Sequence, residues 1–408
     1  MKMNKLTVAI LIAMLLGIFT GQGYRLFAPA QAATFASDIT ILTDIFLRLI
    51  KMIIAPLVFT TLVVGIAKMG DTRTVGRIGA KTLGWFMLAS LMSLTLGLVM
   101  VHLMQPGVGL SLSLPDDGAS SGVAATAISL KDFVTHAIPK SVIEAMATNE
   151  ILQIVVFSLF FGLAAAALGD AAKPVVKLMA SSAEIMLKVT GYVMNFAPFA
   201  VFGAIAAMVA KEGLGILATY GTFMAQFYLA LACLWLLLIA MGSLFIRRRI
   251  LTLLAMIREP ILLAFSTASS EAAYPKTLDR LEKFGCDKRI ASFVLPMGYS
   301  FNLDGSMMYC TFAVMFIAQA YGIELSMAQQ ITMLLLLMVT SKGMAGVPRA
   351  SLVVIAATLN QFQIPEAGIL LLLGIDHFLD MGRSATNVLG NAIAASVVAK
   401  TEDSLGET

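Results

Sequence analysis

Long apolar runs separated by short charged connections make up most of this chain. Residues 82–115 and 213–246 each hold no Asp, Glu, Lys or Arg over 34 positions. Either run exceeds the roughly 20 residues an α-helix needs to cross about 30 Å of hydrocarbon. Shorter uncharged runs lie at 6–21, 52–67, 151–169, 189–210 and 305–323. Lipid offers no partner to a backbone N–H or C=O, and no run shows the alternation of a membrane β-strand, so the runs are read as helices. For the first run the alternative is a cleaved leader, since residues 1–5 are basic and Ala30-Gln31-Ala32 resembles a cleavage site. The length of the stretch and the spans that follow at once favour a retained helix.

The pattern changes after Arg249. Residues 261–273 are moderately apolar with an embedded Ser266-Thr267-Ala268-Ser269-Ser270, and Pro275 and a charged run at 276–289 follow, which is too short and too polar for a span. Residues 326–365 repeat that logic, with Ser341-Lys342-Gly343-Met344-Ala345-Gly346-Val347-Pro348 between two apolar arms. Broken backbone at membrane depth is tolerated only inside protein or against a water-filled cavity, so both segments are predicted to be re-entrant hairpins. Each precedes a helix studded with polar groups, which suggests two related halves and points to a transporter site.

Composition agrees with a membrane protein. Of 408 residues 59% are hydrophobic and 13% charged, about half the charged share of a soluble domain, which excludes a soluble enzyme. The net charge of +4 is scattered between apolar runs, so nucleic acid is not an expected partner. Cys233, Cys286 and Cys310 form no close-spaced pair, and neither a disulfide framework nor a zinc site follows. The 26 Met residues read as packing material. Lys2 and Lys5, then Lys68, Arg73, Arg77 and Lys81, then Lys173 and Lys177, then Arg247 to Arg249 fall on alternate connections, which predicts a cytoplasmic amino terminus.

Two helical candidates hold groups that hydrocarbon rejects. Asn302 and Asp304 lie in the middle of the run from 290 to 323, where an ionised Asp costs about 2.5–3.5 kcal/mol on insertion scales and needs a partner, a cation or water. In the last helix Asp376, Asp380, Arg383, Asn387 and Asn391 step by 4, 3, 4 and 4, one inward-facing stripe. An Asp380–Arg383 pair could be a buried ion pair and nothing more. Such pairs seldom stabilise a protein, and intramembrane charges are functional by default. The functional reading puts a substrate carboxylate on the planar fork of Arg383 and a substrate ammonium on Asp380, which matches an acidic amino acid. Asn302, Asp304, Asn387 and Asn391 supply hard oxygen ligands for an alkali ion or a protonated carboxyl site; helix-to-helix hydrogen bonding is the plain alternative for Asn391. Ser269, Ser270 and the backbone around Gly346 lie at hairpin tips, where small residues and free amides can surround an anion.

With those residues in view, the chain resembles the dicarboxylate/amino acid:cation symporter family, the glutamate transporters, and among them bacterial proton-glutamate symporters. The strings that carry the resemblance are Ser266 to Ser270, Asn302-Leu303-Asp304-Gly305-Ser306, Gly343 to Pro348, and Asp380-Met381-Gly382-Arg383-Ser384 with Asn387. The resemblance implies an all-α membrane protein of eight transmembrane helices and two re-entrant hairpins, built as inverted repeats, working as an elevator-type homotrimer in a bacterial inner membrane with both termini cytoplasmic. It implies scaffold helices one and two at 1–77, helix three of the transport domain at 78–105, and an extracellular loop with scaffold helices four and five at 106–210. Helix six then takes 211–249, the first hairpin 250–289, helix seven 290–324, the second hairpin, as the gate, 325–365, helix eight 366–400 and a cytoplasmic tail 401–408. It implies that substrate is held by Arg383, Asp380, Ser384, Asn387, Ser269, Ser270, Gly346, Val347 and Ser306, and the coupling ion by Asn302, Asp304, Asn387, Asn391, Ser90 and Ser341. Relatives for C4-dicarboxylates lack the equivalent of Asp380, so glutamate or aspartate is the expected substrate.

The chain departs from the sodium-driven members at Asn391, where they have a carboxylate, and at Ala89. Losing a formal charge weakens an alkali-ion site. A proton is therefore the favoured coupling ion, sodium the alternative, and Asp304 the candidate carrier; no cofactor is expected. Cys310 and Arg349 also differ from many relatives. An intramembrane aspartyl protease would need two carboxylates sharing a proton in a Gly-x-Gly-Asp context, which neither Asp304 nor Asp380 has. A passive channel and a C4-dicarboxylate symporter are the competing transport readings.

Overall fold

The computed structural model describes residues 5–69, 72–108, 138–214, 220–341, 350–373 and 375–406. Among them the chain is helical, as backbone placed in lipid must be. Helices α1 (Lys5–Phe27), α2 (Pro29–Met69) and α3 (Thr72–Met104) open it, and a short α4 (Val142–Ala147) precedes α5 (Ile151–Leu168), α6 (Lys173–Val193) and α7 (Ala197–Glu212). Then come α8 (Gly221–Ile246), α9 (Arg249–Thr267), α10 (Tyr274–Lys283), α11 (Lys288–Phe301) and α12 (Asp304–Ala320). Helices α13 (Met327–Thr340), α14 (Ala350–Gln361), α15 (Leu370–Leu373) and α16 (Asp376–Thr401) complete it. Seven helical stretches among the described residues are long and apolar enough to cross a membrane.

Several boundaries differ from the sequence expectation for physical reasons. The second span is only the apolar end of a 41-residue helix, α2, because residues 29–51 continue the helix although they carry charge. The run at 189–210 covers a joint: α6 ends, a 3₁₀ turn takes Met194–Phe196, and α7 restarts with a proline in its first turn, where the missing N–H breaks no helical bond. Helix three starts at Thr72 rather than at 78. The seventh span is not continuous: Asn302 (φ −130°, ψ 61°) and Leu303 (φ −94°, ψ 64°) leave the helix between α11 and α12. The stretch at 261–273 is by itself too short and polar to span, yet α9 starts twelve residues earlier, runs 19 residues, and has the length and apolarity of a span. What turns it back is Ala268 in the left-handed region (φ 48°).

The returning arm is α10, and its end meets the start of α9: Arg249 Nη2 donates to the Phe284 carbonyl at 3.0 Å and the guanidinium lies over the Phe284 ring. Glu259 on α9 pairs with Lys276 and Arg280 on α10. The two arms therefore lie back to back as a helical hairpin whose open ends meet. Helices α13 and α14 pack on one another as the arms of the second segment, whose tip, with Gly346 and Val347, lies outside the described residues.

Packing sorts the helices into two groups. Helices α1, α2, α5, α6 and α7 lie mainly against each other, while α3 and α8 to α16 gather around α12 and α16, and α11 leans across onto α2 and α5. The outer faces are apolar, with Phe19 73% and Leu244 79% exposed, the reverse of a soluble surface and what lipid requires. The polar helices sit inside: every residue from Asp304 to Ala318 and from Met381 to Ala399 is buried. The last residues are not a free tail, since Gly406 N donates to Gly285 O and Asp287 N to Ser404 O.

Candidate substrate and ion site

Helix α16 carries the site because its polar stripe faces the broken span. Arg383 is 2% exposed, and its Nη2 reaches Asp376 Oδ1 at 3.1 Å and Asp380 Oδ1 at 2.9 Å. Its guanidinium lies 4.1 Å from the Tyr309 ring centroid, a cation–π contact that is strongest away from water. The Tyr309 hydroxyl donates to Asp376 Oδ1 at 3.3 Å, so one carboxylate oxygen holds both groups. Arg383 Nε and Nη1 are buried and make no hydrogen bond among the described residues. Buried donors are paired as a rule, and an unpaired one costs about 1–3 kcal/mol, more for a charged group. Those two edges of the fork are what a planar carboxylate would satisfy. Asp376 is 5% exposed and Asp380 36%, so Asp380 is the more reachable carboxylate.

One to two turns further along α16 a second cluster meets the break between α11 and α12. Asn387 Oδ1 accepts from Gly305 N at 2.9 Å, and its Nδ2 donates to Ser306 Oγ at 3.2 Å. Asn302 Nδ2 donates to Asp304 Oδ2 at 3.0 Å and to Asn391 Oδ1 at 3.1 Å, and Ser93 Oγ of α3 donates to Asp304 Oδ1 at 3.3 Å. Asn302 Oδ1 and Asn391 Nδ2 are buried and make no hydrogen bond among the described residues. Asp304 itself is 0% exposed. The cluster offers a carboxylate and neutral oxygens, suited to a proton or a hard monovalent cation. No group of three or more His, Cys, Asp and Glu among the described residues could hold a transition metal.

Three glycines let the helices come this close. A Cβ on Gly305 would lie 2.6 Å from the Arg383 carbonyl oxygen, and one on Gly298 or Gly390 would overlap Asn391 or the Asp304 carboxylate. The break is needed for the same reason: a continuous helix would turn the Gly305 N–H back into its own ladder rather than toward Asn387.

The expected residues divide as follows. Arg383, Asp380, Asn387, Ser306, Asn302, Asp304 and Asn391 come together as described. Ser384 is buried on α16 beside Arg383, and Ser90 is buried one turn before Ser93 on α3. Ser269 and Ser270 lie half-buried at the hairpin turn, where Ser269 Oγ accepts from Ala272 N at 3.3 Å. Ser341 ends α13 and turns its hydroxyl onto the Met338 carbonyl of its own helix. Asp376, Tyr309 and Ser93 also belong to the two clusters, although no role for them follows from the sequence pattern. Asp376 was legible, seven residues before Arg383 on the same stripe; Ser93 stood in an apolar run next to Ser90. Nothing in the sequence marks Tyr309, which reads as an ordinary core aromatic.

A profile of the sodium:dicarboxylate symporter family matches residues 6–401. The chain belongs to that family. It is 41% identical to a protein from Bacillus caldotenax named "Proton/sodium-glutamate symport protein" over 98% of this chain and 94% of that one. It is 40% identical to a "C4-dicarboxylate transport protein" of Laribacter hongkongensis over 97% and 89%. It is also 40% identical to a "Proton/glutamate-aspartate symporter" of Bacillus subtilis over 88% and 87%. The apolar helices and the family together make this symporter family member a multi-pass membrane protein that binds a small-molecule substrate.

Proposed function

We propose that this protein is a secondary active symporter that takes up acidic amino acids, glutamate or aspartate, across a bacterial inner membrane, coupled to protons. The observation that carries the reading is the half-used fork of Arg383: Nη2 is held by two carboxylates, while Nε and Nη1 are buried and unpaired among the described residues. A substrate carboxylate takes the free edges. One guanidinium against two carboxylates leaves a negative charge in excess, and Asp380 is the exposed one; a substrate ammonium balances it. A dicarboxylate would bring a second negative charge to that side instead. Names of relatives at 40% identity support both substrate classes, so C4-dicarboxylate uptake stands as the second reading.

The coupling ion goes to the Asn302, Asp304, Asn391 and Ser93 cluster. A single carboxylate beside neutral amides holds a proton more readily than an alkali ion, which needs charge and oxygen count. Helices α12 and α16 carry both clusters and pack in one group, so substrate and ion move together when that group slides past α1, α2, α5, α6 and α7 as an elevator. The chain works as a homotrimer, with the second hairpin as its gate. The basic residues Arg247, Arg248, Arg249 and Lys400 line one cavity, and the preference of cytoplasmic faces for Lys and Arg supports the reading that both termini are cytoplasmic.

Proteoliposome uptake tests the reading. With an inward proton gradient and no sodium, glutamate accumulation that a protonophore abolishes is expected. A passive pore would not accumulate substrate. Accumulation driven by sodium alone at constant pH overturns the proton assignment. Asp380→Ser separates the substrate readings: amino-acid uptake collapses if Asp380 takes the ammonium. Intact glutamate uptake in Asp380→Ser would falsify that role.

A further inference from the structure

We propose that a cavity of about 630 Å³ between α8, α9 and α16 holds one acyl chain of an anionic phospholipid whose phosphate sits on Arg258. The volume lies within the roughly 300–1,000 Å³ of small-molecule sites. On α9 the lining positions Leu254, Arg258, Ile261 and Phe265 step by 4, 3 and 4, a single helical face.

The wall is closed to hydrogen-bonding ligands. Its polar groups are already used: Tyr228 Oη donates to the Phe378 carbonyl at 2.6 Å, Trp235 Nε1 to Thr386 Oγ1 at 2.8 Å, and Thr386 Oγ1 to the Gly382 carbonyl at 2.8 Å. What remains is apolar except for Arg258. Arg258 is exposed and makes no hydrogen bond or ion pair among the described residues. The adjacent acid, Glu259, is buried on another face, paired with Lys276 and Arg280. A matching occupant is therefore apolar along its length and anionic at one end.

Position favours a lipid of the surrounding bilayer. Arg258 stands nine residues after Arg249, so a rise of about 1.5 Å per residue puts it roughly 13 Å into the helix. At that depth a long side chain lays its methylenes along apolar surface and holds its charge toward the headgroups. The cavity opens outward at Ala232 and Arg258, both exposed, and the outward face of α8 nearby is apolar, with Leu229 and Leu236 more than half exposed. Its floor, Gly382, Ala385 and Thr386, is the far side of the α16 turn that carries Arg383.

Native mass spectrometry of the full-length protein, titrated with phosphatidylglycerol or phosphatidylcholine of matched chains, tests this. The expected result is one tightly held lipid per chain, with phosphatidylglycerol preferred about fivefold, the ratio equivalent to about 1 kcal/mol for one basic residue at an anionic bilayer surface. Arg258→Gln brings the preference to about one, and Arg258→Lys retains it. Ala232→Trp, which fills the cavity from the outer surface, weakens both lipids. An unchanged preference in Arg258→Gln, undiminished binding of both lipids in Ala232→Trp, or displacement of the bound lipid by inorganic phosphate alone would each overturn the proposal.

Discussion

Replacing Arg383 with Lys keeps the charge and removes the fork, and so tests how the substrate is held. In the native site Nη2 serves Asp376 at 3.1 Å and Asp380 at 2.9 Å, and Nε and Nη1 are the edges left for a carboxylate. An ammonium has three donors on one atom and no planar edge. If it serves the two aspartates it has one donor left, so the substrate loses one leg of a two-point contact. A hydrogen bond to a charged group contributes about 1.5–3 kcal/mol, and about 1.4 kcal/mol is tenfold in affinity. Glutamate and aspartate should then bind about 10- to 150-fold more weakly. Arg383→Ala, which also removes the cation facing two carboxylates, should abolish measurable binding. Titration calorimetry on purified protein reads both numbers, and size-exclusion profiles matching the wild type show that assembly is intact. Affinity within about threefold of wild type in Arg383→Lys would show that charge alone holds the substrate, and the fork argument would fail.

Gly390→Ala should damage coupling more than substrate recognition, because its Cβ would collide with Asp304 Oδ2 whereas Arg383 lies seven residues, or about 10 Å, along the helix. Overpacking of this kind costs about 1–3 kcal/mol; glutamate affinity that keeps its full pH dependence in this variant would argue against Asp304 as the carrier. At the end of α16, Glu402 accepts from Arg77 at 2.7 Å and pairs with Lys81. The Arg77 guanidinium and the Lys81 ammonium hold its carboxyl below the usual 4.5. A depressed carboxyl contributes stability above its ordinary range and loses it as pH falls through the folded value, so Glu402→Gln should lower Tm at neutral pH and cease to matter only once pH has fallen past that folded value, itself below 4.5. A Tm difference from wild type that is the same at neutral and acid pH would show that the clasp is not electrostatic. Asp376→Ala should weaken substrate binding although Asp376 is too buried to touch substrate readily, since it orients both Arg383 and Tyr309; unchanged affinity would remove it from the site.

How much of this was legible beforehand depended on whether the signal was periodic. The α16 stripe was, because positions 376, 380, 383, 387 and 391 share a face in any helix, and the structure turns that face inward with Arg383 2% exposed. The two interrupted segments were legible as breaks, yet hydropathy alone misjudged both the length of α9 and the continuity of the span at Asn302. A window average cannot separate an uninterrupted helix with an odd polar residue from two half-helices meeting at it. The difference lies in the backbone: Asn302 and Leu303 leave helical dihedrals, and only then can the Gly305 N–H face Asn387. Tyr309 and Ser93 were invisible for a related reason, since each acts across a helix interface that sequence spacing does not encode. The glycines hold the counterpart of that information. Gly298, Gly305 and Gly390 read as weak points in a helix, whereas here the missing side chain of each lets an amide, a backbone carbonyl or a carboxylate from the facing helix reach its position. A polar residue and a glycine at matching depth on two buried helices are therefore better read together, as one contact, than separately as a charge to be hidden and a flaw in a helix.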